Sequence, residues 1–547
     1  MEEKAFDLWE EPWIRVMTED CEVRECSLME ALLESHRCQR LAGELPTQDV
    51  AILRLLLAVL HTVFYRVDLN GESDPIQDGR QAMERWKALW DAGHLPEAPI
   101  RAYREAWGDR FWLFHPERPF YQVPGAEIGT AYTAAKLNGE LSESGNKIRL
   151  FPVRAGAGKE SLSYAEAARW LIYLNGFDDT SAKPKQKGLP SPGAGWLGKL
   201  GLIHAEGKNL FETLALNLVL LRDGKELWGD PLPVWERETP RSGERVEIAM
   251  PDNQAELLTL QSRRLLLERD GGGVVGYRLL GGDFFQKINA AAEQMTLWER
   301  RTGKKDEPPY DQPKRLDPER QMWRDFGVIT GTGGEGRTPG VVSWITALKY
   351  RRLLDRERVI CFRTAGVKYG DKDFFVEDIL SDHLDFHTDL LDEAGKLWTK
   401  LIQEKIGQTE KAARLLKTLA EGLFRAEGGR PDSPAWASRG RQAAQAYYGA
   451  VDLPFRAWLW SIDPQRGDGE ELRAERDEAW RREACRIATR QGRQMVQNAG
   501  TAAFTGRWEK DKQGRERLYT SSTEFDRFVR DVRSCFDIRT TRKEDSR

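Results

Sequence analysis

The sequence of 547 residues contains no complete motif for catalysis or for metal binding. None of its six cysteines lies in a C-x-x-C pair, so the spacing of zinc ribbons and thioredoxin-like redox sites is missing. The G-x-S-x-G pentapeptide, which forms the nucleophile elbow of many hydrolases, is also lacking. We therefore expect free thiols, as in a reducing compartment, and no local motif assigns a reaction.

Features of membrane and secreted proteins are missing as well. We find no uninterrupted apolar run of the roughly 18–20 residues that a membrane-spanning helix needs. The N-terminus opens with acidic residues instead of the basic segment of a secretory signal. The sequence thus predicts a cytoplasmic protein without a membrane partner.

An excess of positive charge is the next feature that the sequence lacks. Lys and Arg total 83 against 87 Asp and Glu, a formal net charge of -4. A protein that coats nucleic acid non-specifically is usually basic, so any contact with DNA is expected at local patches. Two such patches are Lys147 to Lys159, which contains no acid, and the group Lys183, Lys185 and Lys187. Taken alone, each patch is better explained as a solvated loop.

The chain length and the pattern of helical segments, strands and loops predict an α+β protein. A chain of this size exceeds one hydrophobic core. We expect a large mixed, helix-rich N-terminal domain over 1–373 with small sheets and long loops, among them 126–160 and 176–201. From 374 to 547 we expect a C-terminal antiparallel four-helix bundle, because helical patterns at 376–404, 408–426, 434–460, 470–499 and 522–536 are separated by short turn-rich segments.

Several elements of the N-terminal domain have clear signals. The chain opens with a short strand ending at 13–16 and a helix capped by Ser27. A long apolar helix then begins at Pro46, Thr47 and Asp49. Between 255 and 287, two β-like runs flank a glycine turn at Gly271, which predicts a hairpin.

Two glycine-rich motifs imitate nucleotide sites. Ala155 to Glu160 resembles part of a phosphate-binding P-loop, but Val153 and Glu160 occupy positions that require Gly and a hydroxyl residue. Gly331 to Gly336 fits G-x-G-x-x-G, yet Pro339 delays the helix that should follow. We reject the first and favour a loop close to a ligand for the second, while a nucleotide-binding enzyme remains the alternative.

Histidine and cysteine clusters give weaker signals. His383 and His387 are four residues apart, which on a helix would place both imidazoles on one face, as in some metal sites. No third strong ligand is evident, so exposed polar residues are the favoured interpretation. Cys21, Cys26 and Cys38 have irregular spacing, and we interpret them as buried small hydrophobic residues.

Four segments, taken in order, carry a resemblance to a known family. They are the opening of the chain, Phe111 to Val123 with its HPERPF sequence, Asn209 to Val219, and Ala255 to Arg264 with QSRR. In this order they resemble CasA, the large-subunit family of the type I-E Cascade complex of CRISPR immunity. The resemblance runs over most of the chain.

The resemblance implies a protein that is not an enzyme and that needs no cofactor. It implies a subunit of an RNA-guided antiviral complex, which recognises the protospacer-adjacent motif (PAM) on double-stranded DNA and promotes strand separation and R-loop formation. The implied partners are target DNA, guide RNA, other Cascade subunits and the nuclease-helicase recruited afterwards. Some relatives carry a zinc knuckle, but this sequence lacks its cysteines, so we expect no metal.

The same resemblance places the site residues. The family's glycine loop is matched by Gly188, Gly193 and Gly195, and the lysine that enters the minor groove by Lys287, with Arg278 as the rival. The wedge that parts the first base pair is matched by Arg337, Thr338 and Pro339. The loop that contacts guide RNA and subunits is matched within 146–159 by Lys147, Arg149, Phe151, Val153, Arg154 and Lys159.

Physical considerations fit these roles. The minor groove is only about 6 Å wide, so a reader needs slender backbone and few donors. Glycine permits a close approach, and a rigid wedge separates stacked bases at a cost of a few kcal/mol. Guide pairing then supplies sequence specificity.

Overall fold

The computed structural model describes residues 4–138, 157–180, 183, 187–303, 308–332, 336–355, 358–466, 469–510 and 514–538. The chain forms two compact units. The N-terminal unit comprises Met1–Pro318, Val328–Arg356 and Ile360–His383, and the C-terminal unit comprises Glu319–Gly327, Glu357–Val359 and Leu384–Arg547.

Helices and small sheets occur together, which confirms the α+β class. The helices that begin before residue 360 are α1 Leu28–Leu33, α2 Pro46–Arg66, α3 Gly79–Ala92, α4 Glu97–Trp107, α5 Ala134–Leu137, α6 Ala157–Glu160, α7 Tyr164–Phe177, α8 Leu210–Asn217, α9 Gln254–Leu258, α10 Phe326–Thr330 and α11 Gly340–Tyr350. Those of the C-terminal unit are α12 Lys396–Ala426, α13 Pro434–Trp460, α14 Glu470–Gln497, α15 Thr501–Thr505 and α16 Ser521–Cys535.

The strands form several separate small sheets. They are β1 Ala5–Asp7, β2 Ile14–Thr18, β3 Val23–Cys26, β4 Cys38–Leu41, β5 Trp112–Phe114, β6 Thr130–Thr133, β7 Leu202–Glu206, β8 Arg263–Asp270, β9 Gly273–Gly281, β10 Trp298–Arg301, β11 Tyr310–Pro313, β12 Val359–Tyr369, β13 Val376–His387, β14 Arg507–Lys510 and β15 Glu516–Tyr519. Three-stranded sheets have the orders β3-β2-β4, β6-β9-β8 and β13-β12-β7, and β1-β5, β10-β11 and β14-β15 pair as two strands.

The predicted N-terminal elements are confirmed. Ser27 forms a capping box with Glu30, each side chain accepting from the other's backbone amide. Helix α2 starts with Pro46 at its first turn. By length and hydropathy alone α2 could cross a membrane, but 94% of that apolar window is buried inside the protein. It is therefore a core helix, and it packs on α7 and α9.

The predicted hairpin is also confirmed. Strands β8 and β9 pair antiparallel from Arg263 opposite Gly281 to Asp270 opposite Gly273. Gly271 and Gly272 form the turn with φ values of +56° and +88°, a conformation that glycine adopts without steric cost.

Four long helices of the C-terminal unit pack against one another in alternating directions. Residues 408 and 422 of α12 lie near 535 and 524 of α16. Along α13, residues 447 and 458 lie near 484 and 476 of α14. Aromatic side chains pack between these helices, where the rings of Phe455 and Trp480 meet edge to face with centroids 4.9 Å apart.

Two sequence expectations are wrong. Residues 376–387 form strand β13 instead of the start of a helix, because they pair with β12. His383 and His387 are therefore separated by about 13 Å of strand. In the part of the chain that the structure describes, no group of three or more His, Cys, Asp or Glu side chains is arranged to hold a metal.

Cys26 and Cys38 are buried as expected, but Cys21 is exposed.

Candidate nucleic-acid interface

Two of the predicted site segments meet through an aromatic contact. The glycine loop ends at Trp196, whose ring centroid lies 4.4 Å from that of Phe285. Phe285 precedes the short 3₁₀ helix Lys287–Ala292. The indole nitrogen of Trp196 donates to Glu293 Oε2 at 3.2 Å, just beyond that helix. The glycine loop and the Lys287 segment are therefore neighbours, although about 90 residues separate them in sequence.

The predicted wedge segment joins the same 3₁₀ helix from another side. Arg337 Nη2 donates to the Ala291 carbonyl at 2.5 Å and to Asp223 Oδ2 at 2.6 Å. Its guanidinium lies 4.9 Å from the ring centre of Trp298. Arg337 thus fixes the 336–340 segment to the helix that Lys287 begins.

Glu293 is the centre of this arrangement. Arg54 of α2 donates to both of its oxygens, at 2.8 and 3.1 Å, and both side chains are 1% exposed. Burial alone would raise the pKa of Glu293, but the Arg54 charge and hydrogen bonds from Arg54, the Met295 amide and Trp196 outweigh burial and lower it. Glu293 is consequently an ionised carboxylate that ties the core helix to two of the candidate segments.

The three glycines of the loop have different surroundings. Gly188 and Gly193 have φ values of +85° and +60°, and in the described structure no atom lies within 4 Å of a Cβ built at either position. Their backbones are thus accessible to a ligand, and the left-handed conformation favours glycine. Gly195 is buried, and a Cβ there would meet the Gly176 carbonyl oxygen at 2.3 Å. Gly195 therefore serves close packing against α7.

A buried charge cluster holds the base of the loop. Asp178, at the C-terminal end of α7, accepts from Lys183 Nζ at 2.8 Å and from Arg263 Nε of β8. Arg263 Nη2 also donates to the Gly193 carbonyl at 2.5 Å. Burial lowers the pKa of Lys183 to about 8, although the Asp178 charge opposes that shift. The cluster fixes the position of Gly193 relative to the sheet.

Lys287 and Arg278 differ in their placement. Lys287 is the first residue of the 3₁₀ helix beside Trp196 and Arg337, and its side chain lies outside the described residues. Arg278 lies on β9, opposite Leu266 and Ala131. Its Nε donates to Glu268 Oε1 at 2.6 Å. As a candidate for the residue that enters the minor groove, Lys287 is therefore better placed than Arg278, because Lys287 belongs to the segment that the other candidates contact.

Within the wedge segment, only part of the surface is accessible. Pro339 is buried as the N-cap of α11, and its carbonyl accepts from the Val342 and Ser343 amides. A buried residue does not protrude between bases, so Pro339 is unsuited to be the wedge tip. Thr338 packs against Gly331, while Gly336 is exposed. The accessible end of the segment is therefore at Gly336.

The predicted guide-RNA loop is described only at its end. Lys147, Arg149, Phe151, Val153 and Arg154 lie outside the described residues. Lys159 lies in α6 and is half-buried. The following residue pair, Ser161 and Leu162, contacts the start of β9, so the described end of this segment lies against the hairpin.

Sequence reasoning missed the residues that hold the site together. Glu293, Arg54, Trp196 and Asp178 have no motif, since their pairing joins positions up to 239 residues apart. One signal was available: a charged residue such as Arg54 in the middle of an apolar helix needs a buried partner.

Replacement of Gly195 by alanine tests the close packing at the base of the loop. We expect Gly195→Ala to lower the free energy of unfolding by about 1–3 kcal/mol, because the added methyl group collides with the backbone of α7. Gly158→Ala is the matched control, since its Cβ meets no described atom within 4 Å, and it should change stability by no more than about 0.5 kcal/mol. Urea unfolding of both variants measures the difference, and equal values would contradict the packing role.

Comparison with known proteins identifies the family to which this chain is similar. The family model described as CRISPR-associated protein Cse1 matches residues 7–491. The CRISPR-associated protein CasA/Cse1 of Thermus thermophilus is 32% identical over 331 residues. That match spans 60% of this chain and 60% of the relative, less than two thirds of its length.

Solved structures extend the likeness over nearly the whole chain. Thermobifida fusca Cse1 is 30% identical with a TM-score of 0.81, covering 98% of this chain and 99% of that chain. A chain of a CRISPR RNA-guided surveillance complex has a TM-score of 0.68 at 18% identity, covering 98% and 100%, which shows a shared fold. These matches confirm the resemblance found in the sequence: the chain belongs to the Cse1 (CasA) family of type I-E CRISPR systems.

Proposed function

We propose that this protein is the non-catalytic large subunit of an RNA-guided antiviral DNA surveillance complex. In this role it recognises the PAM on double-stranded target DNA, promotes strand separation and R-loop formation, and helps to recruit the nuclease-helicase. It acts in the cytoplasm with guide RNA and the other Cascade subunits, without a cofactor and without a membrane.

The observation that carries this proposal is that three segments meet around the 3₁₀ helix Lys287–Ala292 and Glu293, the residue that follows it. The glycine loop, the Lys287 helix and the 336–340 segment are distant in sequence but share direct contacts. Accessible glycine backbone beside a lysine is the combination that a narrow groove admits. In this proposal, the second loop fixed to the same helix acts on the adjacent base pair.

The charge distribution supports recognition by few contacts. The chain has a formal net charge of -4, and of the candidate cations Arg278 and Arg337 are each paired with a carboxylate. Binding energy from the phosphate backbone is thus limited at this site. Guide pairing, instead of this chain, would supply most of the affinity and specificity.

The alternative of a nucleotide-binding enzyme has little support. The dinucleotide fingerprint requires a strand immediately before its glycines, whereas the short helix Phe326–Thr330 precedes Gly331. Saturable binding of ATP or NAD by the isolated chain would nevertheless favour this alternative. A scaffold that binds only protein would instead retain assembly and show no dependence on the triplet beside the target.

Replacement of Lys287 tests the DNA-reading role. We expect Lys287→Ala to weaken binding of the guide-RNA complex to a duplex with a permissive triplet by about 10- to 100-fold, because one groove contact is worth about 1–3 kcal/mol. Affinity for a scrambled triplet should hardly change. Titration of labelled duplexes into the assembled complex measures both affinities.

Two controls make the outcome specific. Lys208→Ala removes an exposed lysine of the same unit that lies outside all three segments, and should leave both affinities unchanged. Size-exclusion chromatography verifies that each variant still joins the complex. PAM reading would be contradicted if Lys287→Ala lowered the affinity of the complex equally for the permissive and the scrambled duplex. It would also be contradicted if the complex bound both duplexes equally well without this chain.

A further inference from the structure

A cavity of about 460 Å³ lies in the N-terminal unit, apart from the residues of the candidate nucleic-acid interface. Its walls come from β2, β4, the first two turns of α2, β7 and β12. Its size falls in the range of small-molecule sites, about 300–1,000 Å³. Neither the proposed DNA contacts nor the family's predicted loops use these residues.

Three guanidinium groups line this cavity, those of Arg15, Arg40 and Arg363. Arg363 donates to Glu206 Oε2 from Nε at 3.0 Å and from Nη2 at 2.6 Å. Within the described residues, neither Arg15 nor Arg40 makes a side-chain hydrogen bond, although both interact electrostatically with Asp49. Guanidinium groups with unused donors are suited to bind an oxyanion through paired hydrogen bonds.

The other titratable side chains in the cavity do not neutralise these arginines. Burial lowers the pKa of His204 to about 4, so this imidazole is neutral. Burial raises the pKa of Asp49 to about 6, against the opposing effects of the Gly43 amide and the arginines. Glu44 is paired with Arg169 outside the cavity. Three guanidiniums against Glu206 and a readily protonated Asp49 leave an excess of one to two positive charges.

His204 provides an independent sign of a missing partner. The residue is 8% exposed and lines the cavity. Its Nδ1 atom is buried and has no hydrogen-bond partner in the described part of the chain. A buried polar atom without a partner costs about 1–3 kcal/mol, and a bound ligand or water removes that cost.

Part of the remaining lining is apolar. Val50 and Leu53 of α2 and Leu210 of α8 form part of the wall, so the cavity combines a cationic side with a hydrophobic side. This combination suits an anion attached to an apolar body. A phosphate monoester carries a charge of about -1.5 to -2 at pH 7, which matches the positive excess once Asp49 takes up a proton.

We propose that this cavity is a binding site for a small phosphate monoester with an apolar or aromatic body. Arg15 and Arg40 hold the phosphate oxygens, Arg363 flanks them, and Val50 and Leu53 contact the body. The site is independent of the proposed DNA-reading function.

Calorimetric titration of the full chain with phenyl phosphate tests the site directly. We expect saturable binding that is at least about ten-fold tighter than that of benzoate, inorganic phosphate or phenol. Arg40→Gln and Arg15→Gln should each weaken it about ten-fold or more, while Arg37→Gln, an exposed arginine outside the cavity, should not. A 5′-phosphorylated oligonucleotide that binds more tightly than its unphosphorylated form would identify a nucleic-acid end as the source of the phosphate.

A second measurement does not depend on the folding of variants. Phenylglyoxal modifies accessible arginines, and we expect phenyl phosphate to protect Arg15 and Arg40 in peptide maps while leaving Arg37 reactive. Absence of saturable binding, tighter binding of benzoate, or no protection of Arg15 and Arg40 would overturn the proposal.

Discussion

Glu293→Gln is expected to lower the free energy of unfolding of the N-terminal unit by about 3–5 kcal/mol. The substitution keeps the shape of the side chain but removes the charge that faces Arg54, whose side chain is 1% exposed. Breaking one partner of a buried ion pair leaves an uncompensated buried charge, and this cost exceeds the value of the pair itself. Trp196 also loses its charged acceptor, so the glycine loop should loosen together with the core.

Urea unfolding monitored by hydrogen exchange of the α2 amides localises this effect to the N-terminal unit. Glu299→Gln is the matched control, because its pair with Arg301 is partly exposed, with side chains 28% and 53% accessible. An exposed pair contributes at most about 1 kcal/mol, so this control should remain close to the parent protein. If Glu293→Gln lowered the free energy of unfolding no more than Glu299→Gln, the central role of Glu293 would be contradicted.

The contribution of Glu293 to the free energy of unfolding should depend on pH in a defined direction. The pKa of Glu293 is lower in the folded protein than its ordinary value of 4.5. Its contribution to stability is therefore fully present above about pH 4.5 and is lost as the pH falls through the folded pKa. The difference in stability between the parent and Glu293→Gln should shrink in that acidic range. A difference that stays constant down to acid-induced unfolding would exclude linkage to Glu293.

Local elements were predictable because their signals are local. The Ser27 capping box, the proline that opens α2 and the glycine turn of the β8–β9 hairpin each depend on residues within a few positions of one another. The family resemblance likewise depended on short segments in order. The prediction failed at β13, where pairing with β12 decides between strand and helix and no local signal reports that pairing.

The candidate site was predictable only as a set of separate segments. The family resemblance gave Gly193, Lys287 and Arg337, but it did not indicate that Trp196 and Arg337 hold their segments to one short helix, through Glu293 and the Ala291 carbonyl. The burial of Pro339 was equally hidden, since it depends on the N-cap position of α11. Contacts across more than a hundred residues come from packing, and a single sequence does not encode them in a readable pattern.

Asp178→Asn is expected to have an effect of comparable size, about 3–5 kcal/mol, by leaving Arg263 and Lys183 buried without their shared carboxylate. Burial would raise the pKa of Asp178, but the charges of Lys183 and Arg263 outweigh burial and lower it. The carboxylate is therefore ionised at neutral pH and supports the position of Gly193 through Arg263. Its loss should release the glycine loop as well as destabilise the unit.

Limited trypsin digestion separates this local release from global unfolding. The bond between Lys187 and Gly188 opens the glycine loop, and we expect faster cleavage after Lys187 in Asp178→Asn under conditions where the rest of the chain stays intact, because a loop released from the cluster can extend into the protease active site. Asp270→Asn, an exposed position on the same strand as Arg263, should cleave like the parent protein.

In the assembled complex, Asp178→Asn should also narrow the difference in affinity between permissive and scrambled triplets, because a loose glycine loop cannot hold its backbone in the groove. Retention of full discrimination despite faster cleavage would show that the order of this loop is not required for reading DNA.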